Sequence, residues 1–268
     1  MGDVVNYEIN KDKSGLILDI EKRKNHISRK LPKVRGASYR GERIEQVIAA
    51  NIDKAFIITS IVEPNFNNKT VDRFLVTIES CSVEPVLVIN KSDLDKKNEI
   101  PYWKKLYENI GYCVIVTSVM NQSNIADLAK HLTGSTSLFW GQSGVGKSTL
   151  LNILYPELNL KTGGISSSTS KGKHTTVTSH LYPVSEKTFI IDTPGVREID
   201  PYGIRNEDLA HFFIEFKSFI NECKFNTCTH EHEPGCAVKS AVELGKISEL
   251  RYESYLKMLS TVEEDINF

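Results

Sequence analysis

The sequence predicts an α/β fold in which a mostly parallel sheet carries helices on both faces, with a short β segment before it and a helical unit after it. Three observations lead there. From about Asn51 the apolar runs KAFIITSI, PVLVIN, YCVIVTS, SLFWG and KTFIID recur with helix-like segments between most of them. Strands buried on both faces read as continuous apolar runs rather than alternating ones. Residues 1–33 instead hold two short alternating runs, VVNYEI and GLILDIE, across the turn-rich NKDKSG, which predicts a β-hairpin. After Pro201 the strand signals stop and helical pattern returns over residues 207–221. A cysteine-histidine cluster follows, then one or two amphipathic helices over residues 238–264.

Composition narrows the class. With 268 residues, 40% hydrophobic and 25% charged, the chain can bury one substantial core and one or two small appended units. No run approaches the ~20 apolar residues of a membrane span, and MGDVVNYEIN lacks an apolar signal core. A cytoplasmic protein without a membrane partner is the expectation. Five cysteines, three of them within residues 223–236, suggest a metal site more than a disulfide framework. The net charge of −1 hides a concentration: residues 22–43 hold nine Lys or Arg against one acid, Glu42. Such a segment can track phosphates, with Tyr39 available for stacking.

The first chemical motif is Gly141-Gln142-Ser143-Gly144-Val145-Gly146-Lys147-Ser148, followed by Thr149. It lies between the apolar run SLFW and the helix-like STLLNILY, the context a phosphate loop requires. Glycines let successive N–H groups face a β-phosphate, Lys147 reaches the β/γ-oxygens, and the Ser148 hydroxyl takes a place on Mg²⁺. Asp192-Thr-Pro-Gly195 follows KTFII, so Asp192 stands at a strand's C-terminal end, where such sheets bind ligands. Asp192 can hold Mg²⁺, and the Gly195 N–H can sense a γ-phosphate.

Asn90-Lys91-Ser92-Asp93 follows PVLVI and separates guanine from adenine. The Asp93 carboxylate can accept from both N1–H and the 2-amino group of guanine, and a buried carboxylate left unpaired penalises the wrong base. Asn90 is expected to tie this loop to the phosphate loop, and the Lys91 stem to cover the base. Thr117-Ser118-Val119 ends YCVIV and could present the Ser118 N–H to guanine O6. Between the phosphate loop and Asp192 lies GGISSSTSKGKHTTVTS, polar and long, with the character of a switch segment. Thr175 or Thr176 is the expected Mg²⁺ ligand there.

These motifs stand in circularly permuted order. A conventional GTPase reads phosphate loop, switch threonine, D-x-x-G, N-K-x-D and then the guanine-loop serine, whereas here positions 90 and 117 come first. Permutation is tolerable because all these loops sit at one sheet edge and natural termini are often close enough to join. The segment leaving Asp192 then feeds directly into the C-terminal unit.

Cys223-x4-Cys228-x-His230-x5-Cys236 offers three thiolates and one imidazole, the composition of a closed structural zinc site. His232 is a neighbouring decoy. The position after D-x-x-G, often Gln, is Val196, which cannot orient water. His174, beside the switch threonines, is the candidate water-positioning group, with Lys147 neutralising charge on the phosphates.

The motif order, KGKHTT, DTPGVRE, RKNHISRK, QVIAANIDKAF, GKISELRYESYLKML and the cysteine-histidine cluster together resemble the ribosome small-subunit-dependent GTPase A family. The resemblance runs from about residue 14 to the end. It implies an N-terminal OB-fold, a permuted GTPase domain and a zinc-containing C-terminal domain, with GTP/GDP, Mg²⁺ and one structural Zn²⁺ as bound groups. It further implies action in late maturation of the small ribosomal subunit, whose rRNA would meet residues 22–43 and which stimulates an otherwise slow GTPase; a monomer is the expectation. The family's OB-fold has about five strands, and this chain has room for only the last one or two. The expected division is a truncated OB-like remnant at 1–34, a basic linker at 35–50, the GTPase domain at 51–200 and the helical zinc-binding domain at 201–268. The alternative is a guanine-nucleotide-sensing, RNA-binding module with little hydrolysis.

Overall fold

The computed structural model describes residues 1–30, 45–161, 179–193 and 203–262. Its centre is a six-stranded sheet. The five apolar runs become β5 (Lys54–Ser60), β6 (Glu84–Asn90), β7 (Cys113–Val116), β8 (Thr136–Trp140) and β10 (Thr188–Asp192), and β9 (His180–Ser185) adds an edge strand. The strand order is β7-β6-β5-β8-β10-β9. Every pairing is parallel except β9 with β10. The chain therefore starts mid-sheet at β5, builds outward to β7, and returns to β8 on the other side of β5. That reversal creates a topological switch point between β5 and β8, with the crevice outside the strands' carboxyl ends. Strand β9 (HLYPVS) has no fully buried residue and carries too little apolar signal to stand out in the sequence.

Helices α1 (Asn68–Ser80), α2 (Ile100–Ile110), α3 (Ile125–Leu132) and α4 (Lys147–Leu154) cover the sheet. One face buries Ile57, Leu87, Leu138 and Trp140 with Phe74 and Leu75 of α1; the other buries Phe56, Val88, Phe139 and Ile190 with Leu128, Leu150 and Leu151. Such double coverage is the physical reason the runs are apolar at consecutive positions.

The N-terminal hairpin forms as β1 (Val5–Ile9) and β2 (Gly15–Ile20). Its register pairs Val5 with Ile20 and Tyr7 with Ile17, so these side chains share a face. Tyr7, Ile9, Ile17 and Ile20 are all exposed. Among the described residues no further strand joins this pair. The assignment of 35–50 to a linker needs correction at its end: residues 45–50 form β4 (Glu45–Ala50), antiparallel to β3 (His26–Lys30). Ile27, Ile48 and Ala49 of this pair are buried in the same core as Ile57 and Leu87, so apolar burial overrides the basic character of the neighbouring sequence. The rest of the basic stretch, residues 31–44, lies outside the described residues.

Beyond residue 203 the chain forms α5 (Asn206–Leu209), two 3₁₀ turns, α6 (Lys217–Ile220), α7 (Ala237–Glu243) and α8 (Glu249–Val262). The helical pattern over 207–221 is thus broken into single turns, because Phe213 and Phe216 turn inward onto Tyr255. This unit shares a core with α1, whose Val76 is buried among Leu209, Phe213 and Val238. An ion network fixes the junction, with Arg251 and Asp72 buried and Glu215 at its edge. Arg251 of α8 donates from NH1 to Asp72 Oδ1 of α1 at 2.6 Å, and from Nε and NH2 to Glu215 at 2.6 and 3.1 Å. Tyr107 OH also donates to Asp72 Oδ1, at 2.8 Å, and Phe213 lies under the guanidinium with 4.6 Å to its centroid. Burial works against the Arg251 charge, yet Asp72 and Glu215 hold its pKa well above the usual arginine value.

Removing one partner of such a pair strands the others without water. Arg251→Ala is expected to destabilise the protein by about 3–5 kcal/mol, read as a lowered urea midpoint. A loss below roughly 1 kcal/mol would show that the network is solvated and not a lock.

Candidate active site

All the ligand-binding motifs that are described end strands at one edge of the sheet. The phosphate loop follows β8, Asn90 ends β6, Thr117 follows β7 and Asp192 ends β10. The parallel registers align these ends, with Ser60 beside Asn90 and Asp192 beside Phe139.

The phosphate loop is held from below and from the side. Val145 is buried in the core beside Leu150 and Leu151, which pins the loop's middle. Gly141 and Gly146 have φ of 158° and 97°, and a Cβ at either would lie 2.1 Å from Ile58 O or 2.4 Å from Asn90 Nδ2. The glycines are therefore required by close backbone approach as well as by positive φ. Gly146 caps α4 without a side-chain hydrogen bond, so among the described residues the helix begins with unpaired N–H groups, the arrangement that receives a phosphate.

Asn90 ties the loops together. Its Nδ2 donates to Val145 O at 2.9 Å, and its Oδ1 accepts from Thr117 Oγ1 at 3.1 Å. Thr117 continues the link, since its N–H donates to Ile89 O and its carbonyl accepts from Ser92 N–H. Asn90, Thr117 and Ser118 are buried. Asp93, expected to be buried, is exposed among the described residues. Ser118 Oγ donates to Asp93 Oδ1, a link the motif spacing does not announce. The Ser118 N–H, expected to face a guanine oxygen, lies 3.4 Å from Ser123 O, a long bond that a better acceptor could displace.

A segment the motifs do not mark completes this rim. After β5, residues 61–66 (IVEPNF) fold over the site: Lys91, held in the left-handed region at φ 61°, donates from Nζ to Glu63 O. Pro64 O accepts from Ser60 Oγ. The signal available in the sequence was position alone, since this segment leaves the same strand edge as the recognised loops.

Lys147 and Asp192 form the charged centre. Lys147 Nζ donates to Gly141 O and Gln142 O at 2.7 and 3.1 Å. Burial lowers its pKa against the pull of Asp192, and burial raises Asp192 against Lys147 and His180. Asp192 is buried, and its Oδ1 has no hydrogen-bond partner among the described residues. A buried orphan carboxylate oxygen beside a loop of open N–H groups suits a divalent cation with a phosphate. Ser143, Gly144, Ser148 and Thr149 take their places in the loop and the first turn of α4. His174, Thr175, Thr176, Gly195 and Val196 lie outside the described residues.

The second cluster is in the C-terminal unit. Ligand atoms of Cys223, Cys228, His230 and Cys236 all lie within 4.8 Å of one another, with Cys223 Sγ 3.9 Å from Cys236 Sγ and His230 Nδ1 3.4 Å from it. Four ligands at zinc–sulfur length would stand about 3.8 Å apart, so the set fits a tetrahedral ion. Burial, with neighbouring thiols, pushes Cys228 up to about 12 and raises Cys236. Burial also lowers His230, favouring the neutral imidazole that ligates. Tyr252 and Tyr255 of α8 donate to His230 O and Thr229 O at 2.6 Å and position the loop. His232 points away, exposed beside Glu231.

Comparison with known proteins now decides the family. The RsgA GTPase family model matches residues 20–202. The chain belongs to the RsgA GTPase family. It is a GTP-hydrolysing enzyme. A small ribosomal subunit biogenesis GTPase RsgA of Phocaeicola vulgatus is 40% identical over 267 residues, 98% of this chain and 84% of the relative. One of Chlorobaculum parvum is 41% identical over 250 residues, 93% and 79% of the two chains. Two crystal structures share the architecture at 32% identity. YjeQ from Thermotoga maritima matches with a TM-score of 0.78 over 98% of this chain and 84% of that one. YloQ, described as a circularly permuted GTPase, matches with 0.74 over 98% and 80%. Family membership agrees with the permuted order seen in the sheet, where the guanine-loop strands precede the phosphate-loop strand.

Two outcomes are expected. Gly146→Ala drives a methyl into Asn90 and should abolish measurable GTP binding by calorimetry while the zinc cluster still loads. Zinc uptake by chelator-stripped protein should release protons and tighten as pH rises, because the buried thiols must ionise to ligate; pH-independent uptake would contradict the thiol assignment.

Proposed function

We propose that this enzyme hydrolyses GTP during maturation of the small ribosomal subunit, binding it and its rRNA as a cytoplasmic monomer. The names of its relatives supply the assembly context. The observation that supports the nucleotide reading is the Asn90 bridge, whose side chain bonds both the 141–148 loop and Thr117.

In this reading Asp93 accepts from the guanine edge, Lys91 lies over the base, and the Ser118 N–H turns to the exocyclic oxygen. The loop from Gly141 to Thr149 wraps the phosphates with backbone N–H groups, and Lys147 leaves the Gly141 and Gln142 carbonyls for phosphate oxygens. Asp192 and Ser148, with Thr175 or Thr176, are the residues that would hold Mg²⁺, which when bound neutralises charge on the phosphates. Gly195 offers its N–H to the γ-phosphate. Val196 cannot orient water, so His174 positions it when the subunit is bound. The Cys223, Cys228, His230 and Cys236 set holds zinc with all four positions filled, a structural role that leaves no site for substrate.

Turnover should rise strongly with purified small subunits and stay unchanged with large subunits; equal rates in all three conditions would favour the guanine-sensing alternative. His174→Ala should lose the stimulation while keeping GTP affinity, and full stimulated turnover would remove its assigned role. Asp93→Asn should move preference from guanine to xanthine nucleotides, checked by competition with a fluorescent guanine analogue.

A further inference from the structure

Between β5 and α1 the chain makes a tight turn over residues 61–66 that lies against the nucleotide site, although none of its residues belongs to a nucleotide motif. We propose that Ser60 is a positioning residue for guanine-nucleotide affinity: its hydroxyl fixes this turn so that the Glu63 carbonyl holds the Lys91 ammonium and lays the Lys91 stem across the base. The inference deepens the proposed function, and rests on its placement of Lys91 over the guanine.

The turn is closed from within and anchored at both ends. Ser60 ends β5, is fully buried, and donates from Oγ to Pro64 O at 2.8 Å. The Phe66 N–H donates to Ile61 O at 3.1 Å, which closes the turn a second time. Beyond it the Phe66 ring stacks on Trp103 with centroids 4.5 Å apart, and both rings pack on the domain core. A buried hydroxyl whose partner is a turn carbonyl fixes the backbone more firmly than a solvated one, because breaking the pair leaves the hydroxyl without water.

The turn meets both halves of the nucleotide site. Lys91 donates from Nζ to Glu63 O, and a Cβ on Gly144 would stand 3.8 Å from Pro64 Cδ, so the guanine loop and the phosphate loop each touch it. It is also tied to Asn90: Ser60 and Asn90 are register partners across β5 and β6, and the Ile61 N–H donates to Asn90 O at 3.2 Å. Glu63 and Lys91 both lie in the left-handed region, at φ of 56° and 61°. Residues with a Cβ are uncommon there and persist where their surroundings over-determine them, as at ligand clamps.

Glu63 is exposed, and it is the backbone carbonyl, not the carboxylate, that takes the ammonium. A lysine stem laid across a base needs its head group satisfied at the far end, since a free ammonium is drawn to water and the stem follows it. A carbonyl fixed by Ser60 supplies that anchor before the nucleotide arrives, so less order has to be created on binding. Ser60 acts through Pro64 and Glu63 without touching the nucleotide. Loss of its hydroxyl is felt equally by GDP and GTP, because Lys91 serves the base that both share.

The test follows release of ribose-labelled fluorescent GDP and GTP from the full-length protein by stopped flow. Ser60→Ala should release both roughly tenfold faster, the scale of one hydrogen bond lost. Its KM for GTP should rise by a similar factor while kcat changes by less than about twofold. Lys91→Met should also release fast, and in that background Ser60→Ala should add less than about twofold, because the carbonyl it fixes no longer has a lysine to hold. Phe66→Leu, which frees the turn at its other end, should behave as Ser60→Ala does in both backgrounds, and decides the matter if Ser60→Ala does not fold. Wild-type release from Ser60→Ala and Phe66→Leu, with fast release from Lys91→Met, overturns the proposal and leaves Lys91 over the base. Factors that multiply in the double variants overturn it too, since the turn would then act on the fold at large. Wild-type release from Lys91→Met removes the placement of Lys91 over the base, and the proposal with it.

Discussion

One buried amide holds the nucleotide site together. Asn90 spends Nδ2 on the phosphate-loop carbonyl of Val145 and Oδ1 on Thr117, so three loops from three strands share one side chain. A buried amide left unpaired costs about 1–3 kcal/mol, and here both ends are satisfied only when the loops are in register. The glycine at 146 is the counterpart of that constraint, because the amide occupies the space a Cβ would need. Sheet topology makes the bridge possible: β6 and β8 flank β5, and their ends meet above it.

The C-terminal unit is attached through a different kind of contact. Helix α1 serves two cores, giving Phe74 and Leu75 to the sheet and Val76 to the unit around Tyr255. Arg251, Asp72 and Glu215 close that junction by direct ion pairs. Such networks hold geometry more than they add stability. Since α1 begins just after the 61–66 segment whose Glu63 carbonyl accepts from Lys91, the guanine loop and the zinc unit are joined through one short path of contacts. The Cys223 to Cys236 loop is fastened to the same helix as Arg251, by Tyr252 and Tyr255.

Much of the site was legible because its motifs are local. Gly141 to Ser148 and Asn90 to Asp93 each sit within a few residues, and their chemistry follows from backbone N–H groups and one carboxylate. The cysteine-histidine spacing was readable for the same reason, as a single loop brings all four ligand atoms together. What escaped was cooperation between distant positions. The Ser118 link to Asp93 spans 25 residues, the Arg251 link to Asp72 spans 179, and neither leaves a pattern along the chain. Residues 45–50 were misjudged because local charge spoke for a linker, while burial of Ile48 and Ala49 against Ile27 depended on a strand twenty residues earlier. β9 was missed because its alternation is weak and only pairing with β10 defines it.

The sequence by itself determined the class of the fold, the permuted order of the motifs, the choice of guanine and the composition of the metal cluster. Each of these depends on residue type at short spacing, where covalent geometry restricts the outcome. Tertiary structure alone decided how the loops lock, which helix carries the zinc unit, and that the turn fixed by Ser60 reaches Lys91. These depend on long-range packing, whose free energy comes from burial and pairing that exist only once separate segments meet.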